Sequence, residues 1–173
     1  YNSLTVVLST QPGVAASNAG GLGKTTSLKI RGEEGYRTLM MIDGVDISDP
    51  SGPQVGPRLE SFIASNDIEK VEILRGSQGF IYGADAGGVI NIFTKTGEGE
   101  LGGSVGLEAG RYGTQQIDAS VSAGNDSGDF FIAVTDLESD GFNSRSSDNI
   151  SPDDDGAENT TIHAKLGWNA TED

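Results

Sequence analysis

The sequence predicts two β-rich parts in tandem: a compact sheet domain over residues 1–97, then antiparallel strands with one apolar and one polar face over residues 98–173. Three observations carry this reading. A pair of strand-like runs within 67–95 is separated by glycines at 76, 79, 83, 87 and 88; a two-residue alternation of apolar and polar side chains recurs through 102–169; and the acidic charge lies mostly in the second part. In the first run Val71 and Ile73 alternate with Lys70, Glu72 and Glu69, ending at Arg75 and Gly76. In the second, Val89, Ile90, Ile92 and Phe93 form an apolar stretch closed by Lys95, Thr96 and Gly97. Upstream, Ser27-Leu28-Lys29-Ile30 alternates like a strand and Leu39-Met40-Met41-Ile42 reads as a further apolar one.

The second part reads strand by strand. Val105, Leu107 and Ala109 alternate with Ser104, Gly106 and Glu108 up to a turn at 111–114. Ile117, Ala119, Val121 and Ala123 alternate with Gln116, Asp118, Ser120 and Ser122 up to a turn at 125–128. A third strand is expected over 129–137, and Ile162, Ala164, Leu166 and Trp168 mark a fourth. Two short turns followed by one long acidic loop at 139–159 fit a hairpin array of outer-membrane type. With the 125–128 turn on the periplasmic side, the 111–114 turn and the long loop face outward, and Phe130 and Trp168 fall at the inner aromatic girdle. The same alternation suits a soluble antiparallel sheet with one wet face, which defines an alternative: an acidic β-rich binding or adhesion module.

Charge and composition exclude several classes. Residues 1–97 carry ten acidic and eight basic side chains, residues 98–173 sixteen and three. Phosphate binding needs clustered Lys and Arg, so no nucleic-acid partner is expected. The absence of cysteine excludes disulfides and thiolate metal sites. No stretch approaches the ~18 apolar residues of a membrane helix, so any membrane contact must come through strands.

Residues 20–26, GGLGKTT, look like a phosphate-binding loop, and Asp43 after an apolar strand looks like a magnesium ligand. Together they define a remote alternative, a nucleotide hydrolase. The loop chemistry requires glycine where Asn18 stands, and it must lead into a helix, whereas residues 27–32 alternate like a strand.

The stretch DIEKVEILRGSQGFIYGADAGGVINIFTK at 67–95 resembles the plug domain of TonB-dependent outer-membrane receptors, which ends in a similar order of residues. The likeness extends upstream: residues 4–8 and the Pro12-Gly13-Val14 turn resemble the family's early helix and turn, SLKIRG its second strand, and TLMMIDGVDISDP its third strand and loop. The IDGV and VEILRG forms look most like the vitamin B12 and siderophore branch. The resemblance implies an α+β plug domain, a small mixed sheet with short helices, followed by antiparallel transmembrane-type strands of an incomplete β-barrel. It also implies that the chain begins inside the plug, without the segment that meets a TonB-type energy-coupling protein. After Lys95 the chain suffices for about four strands of a barrel of about twenty-two.

Function follows from the same resemblance. It implies import of a scarce large ligand, a ferric siderophore or cobalamin type, across the outer membrane of a Gram-negative bacterium, with the plug gating the barrel and lipid outside it. Arg31 and Arg75, each closing a plug strand, are expected to pair with barrel carboxylates through charge-assisted hydrogen bonds that water can exchange. Outward plug loops are expected to contact substrate through Glu34, Tyr36, Ser51 and Gln54; Tyr36 combines an aromatic face with a hydroxyl, and three prolines stiffen the second loop. No enzyme is expected, since the single histidine, His163, has no nucleophile near it in sequence. No cofactor is required. The DDDG segment of the long loop resembles the calcium-binding external loop of cobalamin receptors, with Asp153 and Asp155 as the ligands. The exposed strand faces of an unclosed barrel are expected to drive self-association.

Overall fold

The computed structural model describes residues 4–18, 22–24, 26–47, 65–76, 81–82, 87–143 and 154–169. The chain divides into two compact units, one of residues 2–20 with 24–94 and one of residues 95–173 with residues 1 and 21–23.

The first unit opens on a short helix, α1 (Leu4–Ser9), which buries Leu4 and Leu8, one turn apart on one face. Serine and threonine end it: the Ser9 and Thr10 hydroxyls donate to the Val6 and Val7 carbonyls, each at 2.7 Å. Strands β1 (Val14–Asn18) and β2 (Thr26–Ile30) then pair antiparallel. The sequence reading includes β2 but leaves β1 out, because Val-Ala-Ala-Ser-Asn has little strand propensity; pairing with β2 makes it a strand. At the base of the pair the Arg31 amide donates to the Gly13 carbonyl at 2.8 Å.

The rest of this unit is a four-stranded mixed sheet of β3 (Thr38–Ile42), β4 (Val45–Asp46), β5 (Ile68–Arg75) and β6 (Gly88–Thr94), in the order β4-β3-β6-β5. Strand β6 runs parallel to β3 and antiparallel to β5, with both neighbours hydrogen-bonded to it. That central place explains its composition, since a strand covered on both faces needs side chains that lose nothing by burial. Ile90 and Ile92 point into the main core with Leu4, Leu8, Val14, Leu28, Ile30 and Met40; Val89 packs with Met41 on the other face.

Two backbone details fix the sheet. Gly88 sits at φ 130°, and a methyl there would strike the Leu74 carbonyl, so glycine is required where β5 and β6 meet. Asp43 and Gly44, at φ 48° and 81°, form the two-residue Asp-Gly turn joining β3 to β4. The Asp43 carboxylate is not a magnesium ligand here: it accepts hydrogen bonds from the Thr94 amide at 3.0 Å and from the Thr94 hydroxyl. Its own amide donates to the Ile92 carbonyl at 2.8 Å. The turn is thereby tied to the end of β6.

The second unit is a four-stranded antiparallel sheet, β7 (Gly102–Ala109), β8 (Gln115–Asn125), β9 (Gly128–Ser139) and β10 (Ala157–Trp168), paired in chain order. All four predicted strands are present. Two are longer than expected: β9 continues to Ser139 and β10 begins at Ala157, so the long connection runs over 140–156. Glu158 and Asn159 read as the end of the loop, but they pair with Glu138 and Leu137 of β9. Backbone hydrogen bonding decides there, where composition is silent.

Replacing Asp43 by alanine removes the carboxylate to which the Thr94 amide and hydroxyl donate. A hydrogen bond to a charged acceptor is worth about 1.5–3 kcal/mol. Urea denaturation of Asp43→Ala is expected to show a loss in that range, and hydrogen exchange at the Thr94 amide is expected to accelerate.

Candidate functional site

The register of the second sheet sorts its side chains into two unlike faces. On one, Gly103, Val105 and Leu107 of β7 lie beside Val121, Ala119 and Ile117 of β8, these beside Ile132, Val134 and Asp136 of β9, and those beside Ala164, Ile162 and Thr160 of β10. Leu166 and Trp168 extend this face at one end. On the other lie Ser104, Gly106, Ser120, Asp118, Thr135, Thr161 and His163. The apolar face is the exposed one: Ile162, Leu166, Trp168, Val105 and Leu107 are each between 76% and 88% accessible. Gln116, Phe131, Ala133, Thr135 and Ser139, on the opposite face, are buried. This is the reverse of a soluble sheet, which buries its apolar face.

Polar contacts on the second face are local and small. The Ser104 and Ser120 hydroxyls lie 2.9 Å apart, and the Phe131 and His163 rings have centroids 5.7 Å apart. Gly106 leaves room beside the Asp118 carboxylate, and Gly167 beside that of Asp129. His163 lies on this polar face as its place in the alternation requires. No group of three or more His, Cys, Asp or Glu able to hold a metal occurs among the described residues.

At the end of the sheet that carries the long connection, the β7–β8 turn is tied to the loop's root. Tyr112 adopts φ 59° and Gly113 φ 63°. A bulky side chain in the left-handed region costs about 1–2 kcal/mol, so something must hold it there. The Tyr112 carbonyl accepts from the Asp140 amide at 3.0 Å and from the Ser139 hydroxyl at 3.2 Å. The Thr114 hydroxyl lies 2.8 Å from that of Ser139 and also donates to the Arg111 carbonyl at 2.7 Å. Across this brace the rings of Tyr112 and Phe142 meet with centroids 5.0 Å apart and planes 41° apart. Sequence reasoning treats Tyr112 as a turn residue and passes over Phe142, because neither the strain nor the pairing is written in the alternation.

The sequence-predicted site residues fall in three places. Glu34 precedes the single helical turn Gly35–Arg37 and Tyr36 lies within it; Glu34 lies 3.4 Å from the Lys29 ammonium, and the Arg37 guanidinium stands 5.7 Å from the Tyr36 ring centre. Arg31 follows β2 in the left-handed region, at φ 55°, and Arg75 ends β5. A methyl at Gly76 would lie 3.4 Å from Arg31 Nη1, so the two arginines come to one end of the first unit. Asp155 is half-buried beside Gly141, its amide donating to the Phe142 carbonyl at 3.2 Å. Ser51, Gln54 and Asp153 lie outside the described residues. Lys24 sits in a bend from which the chain enters β2, not a helix, and this removes the phosphate-loop reading.

The family model of the TonB-dependent receptor plug domain matches residues 1–90. This chain belongs to that family. It is 36% identical over 167 residues to a vitamin B12 transporter, BtuB, of Photobacterium profundum, the match covering 95% of this chain and 27% of that protein. The ferrienterobactin receptor of Escherichia coli is 38% identical over 109 residues, covering 57% of this chain and 15% of its own. Among solved structures, the copper transporter OprC shares the fold with a TM-score of 0.73 at 22% identity, over 98% of this chain and 26% of that one. The chain thus spans about a quarter of the first relative's length. The fold is a plug-type mixed sheet with few helices, followed by antiparallel strands that leave β7 and β10 as open edges.

Membership of the plug family, with a strand where the hydrolase reading needs a helix, sets a negative expectation for the 20–26 segment. Calorimetric titration with magnesium and ATP or GTP is expected to give no saturable heat, and Lys24→Ala is expected to give the same trace as the parent.

Proposed function

We propose that the chain forms the plug and first four barrel strands of an outer-membrane receptor that imports a scarce large ligand of the cobalamin or ferric siderophore type. The plug gates the path, a TonB-type protein supplies the energy, and the exposed sheet face meets lipid. The observation that carries the membrane assignment is the inside-out sheet and its height. Trp168 and Glu158 stand at opposite ends of that face of β10, ten residues apart. At ~3.3 Å per residue and a strand tilt of ~40°, they are separated by about 25 Å along the membrane normal, the height of an outer-membrane apolar band.

The ends of this face support the same reading. Trp168, with Phe130 beside Leu166, gives an aromatic rim at one end; Glu138 and Glu158, directly paired across strands, give a charged rim at the other. Like charges directly opposite are unfavourable in a sheet unless water reaches them, as it does at a membrane surface. Between the rims Asp136 accepts a hydrogen bond from the Thr160 hydroxyl at 2.7 Å. The ligand class rests on the plug family and on relatives described as a vitamin B12 transporter and a ferrienterobactin receptor.

Ile162 lies near the middle of the apolar face and tests the membrane assignment. An arginine at the midplane of an outer-membrane barrel costs about 2–4 kcal/mol. In the full-length receptor refolded into bilayers, Ile162→Arg is expected to lose that much stability by urea titration. A soluble sheet with a wet outer face predicts no loss, and that result would reject the assignment.

Calcium at the long loop belongs to this proposal through the loop's likeness to that of cobalamin receptors, with Asp153 and Asp155 as ligands. A calcium titration followed by NMR is expected to saturate in the parent and to weaken in Asp153→Asn and Asp155→Asn more than in Asp154→Asn. Equal, unsaturated shifts in all four proteins would mean diffuse ion condensation.

A further inference from the structure

We propose that the first unit opens along the seam between β3 and β6, and that Thr38 and Asn91 stand there without hydrogen-bond partners to lower the cost of opening. The proposal rests on the receptor reading above and adds to it the line along which the gate parts.

The sheet has one natural line of division. Its order β4-β3-β6-β5 joins two antiparallel pairs, β4 with β3 and β6 with β5, through a single parallel pairing. That seam sets Thr38–Ile42 against 88–92, whereas the β5–β6 ladder runs from Ile68 on Thr94 to Arg75 on Gly88. Parallel pairing is slightly weaker per residue than antiparallel. The β3–β4 ladder is shorter still, but a two-residue turn joins its strands and keeps them together. Parting β3 from β6 therefore leaves both antiparallel pairs whole.

Both strands of the seam carry a polar group where an apolar one would pack. Asn91 stands opposite Met41 of β3 and Glu72 of β5, on the face that buries Val89. Asn91 is 6% exposed and Thr38 4%, yet neither the Asn91 Oδ1 nor the Thr38 Oγ1 has a partner. Among the described residues of this sheet, these are the two side chains over nine-tenths buried that leave a polar atom so. An unmatched polar atom in a dry interior weakens the closed sheet, and water restores its hydrogen bond once the strands part. Leucine at 91 or valine at 38 is close in shape and carries no such penalty.

One end of the seam is clasped. Asp43, in the turn that follows β3, accepts from the Thr94 amide at 3.0 Å and from the Thr94 hydroxyl, and its own amide donates to the Ile92 carbonyl at 2.8 Å. Polar groups are thus fully engaged at the end of the seam and unengaged along it. Such a seam stays shut at rest and parts along its length once the clasp gives way.

The experiment uses the full-length receptor, comparing the parent with Asn91→Leu and Thr38→Val. Hydrogen exchange reads the closed seam through the amides of 38–42 and 88–92. Current through planar bilayers in urea reads the opening of the gate. In each variant, exchange of these amides is expected to slow about fivefold or more, and the gate is expected to open more slowly by a similar factor at a fixed urea concentration. Should Asn91→Leu fail to assemble, Thr38→Val on the facing strand decides alone. Unchanged or faster exchange would show that the two groups do not weaken the seam, and would overturn the proposal while leaving the receptor reading intact. Slower exchange with opening at the parent's rate would place the opening elsewhere in the sheet, and would overturn it too. A parent that carries no current at any urea concentration would remove the receptor reading, and the seam as a gate with it.

Discussion

The register of the second sheet is the constraint on which the rest of the molecule's behaviour turns. Side chains alternate strictly along each strand, so a slip of one residue would move the whole apolar set to the other face. The short turn between β8 and β9 sets it locally: the Asn125 side chain accepts from the Ser127 amide at 2.9 Å, and Asn169 donates its amide to the Ser127 carbonyl at 3.1 Å. Residues 95–101 add a second constraint. The Gly97 amide donates to the Asp129 carboxylate at 3.3 Å, and the Gly124 amide donates to the Gly99 carbonyl at 2.9 Å. A side chain at Gly97 would strike the carbonyls of Ala123 and Phe130 at once. The segment that leads into β7 is therefore seated on the β8–β9 hairpin, and the register of all four strands follows from that end.

The two units solve burial in opposite ways. The first has an ordinary core, with Leu8, Ile30, Ile90 and Ile92 almost wholly removed from solvent. Burying each such side chain is worth about 1.5–3 kcal/mol, so that unit draws its stability from water. The second exposes most of its large aliphatic side chains and Trp168, and on its other face buries Phe131 and Ala133 among threonine, serine and glutamine. In water alone that arrangement gains little, and it becomes favourable when hydrocarbon covers the apolar face. Backbone pairing is the part of the second unit that needs no solvent argument, since each strand bonds along its full length to the next.

Much of this was legible in the sequence, and the reasons differ by part. Strands β7 to β10 were readable because alternation has a period of two and does not depend on what covers each face. Strand β6 was readable as a continuous apolar run, and the resemblance of 67–95 to receptor plugs placed it correctly. Strand β1 was not readable, since Ala15, Ala16 and Ser17 take their conformation from the partner strand. The extension of β10 back to Ala157 was hidden for the same reason. Glu34 and Tyr36 were legible as lying in the connection between β2 and β3, where the structure has them. The Tyr112–Phe142 pair was not, because it joins residues thirty positions apart through a turn conformation that Arg-Tyr-Gly-Thr does not announce.

Asp43 shows why a motif needs its surroundings before it carries a function. An apolar strand ending in aspartate suits a magnesium site when a phosphate loop stands beside it. Here the same aspartate begins an Asp-Gly turn, its backbone is left-handed, and its carboxylate faces the Thr94 amide and hydroxyl. A carboxylate engaged by two donors of the same residue has its acceptor sites directed at the end of β6. The residue type is shared by both readings; the turn it sits in decides between them. The same logic runs through Tyr112, where an unremarkable residue type becomes informative once its backbone is seen to be held where glycine would rest more easily.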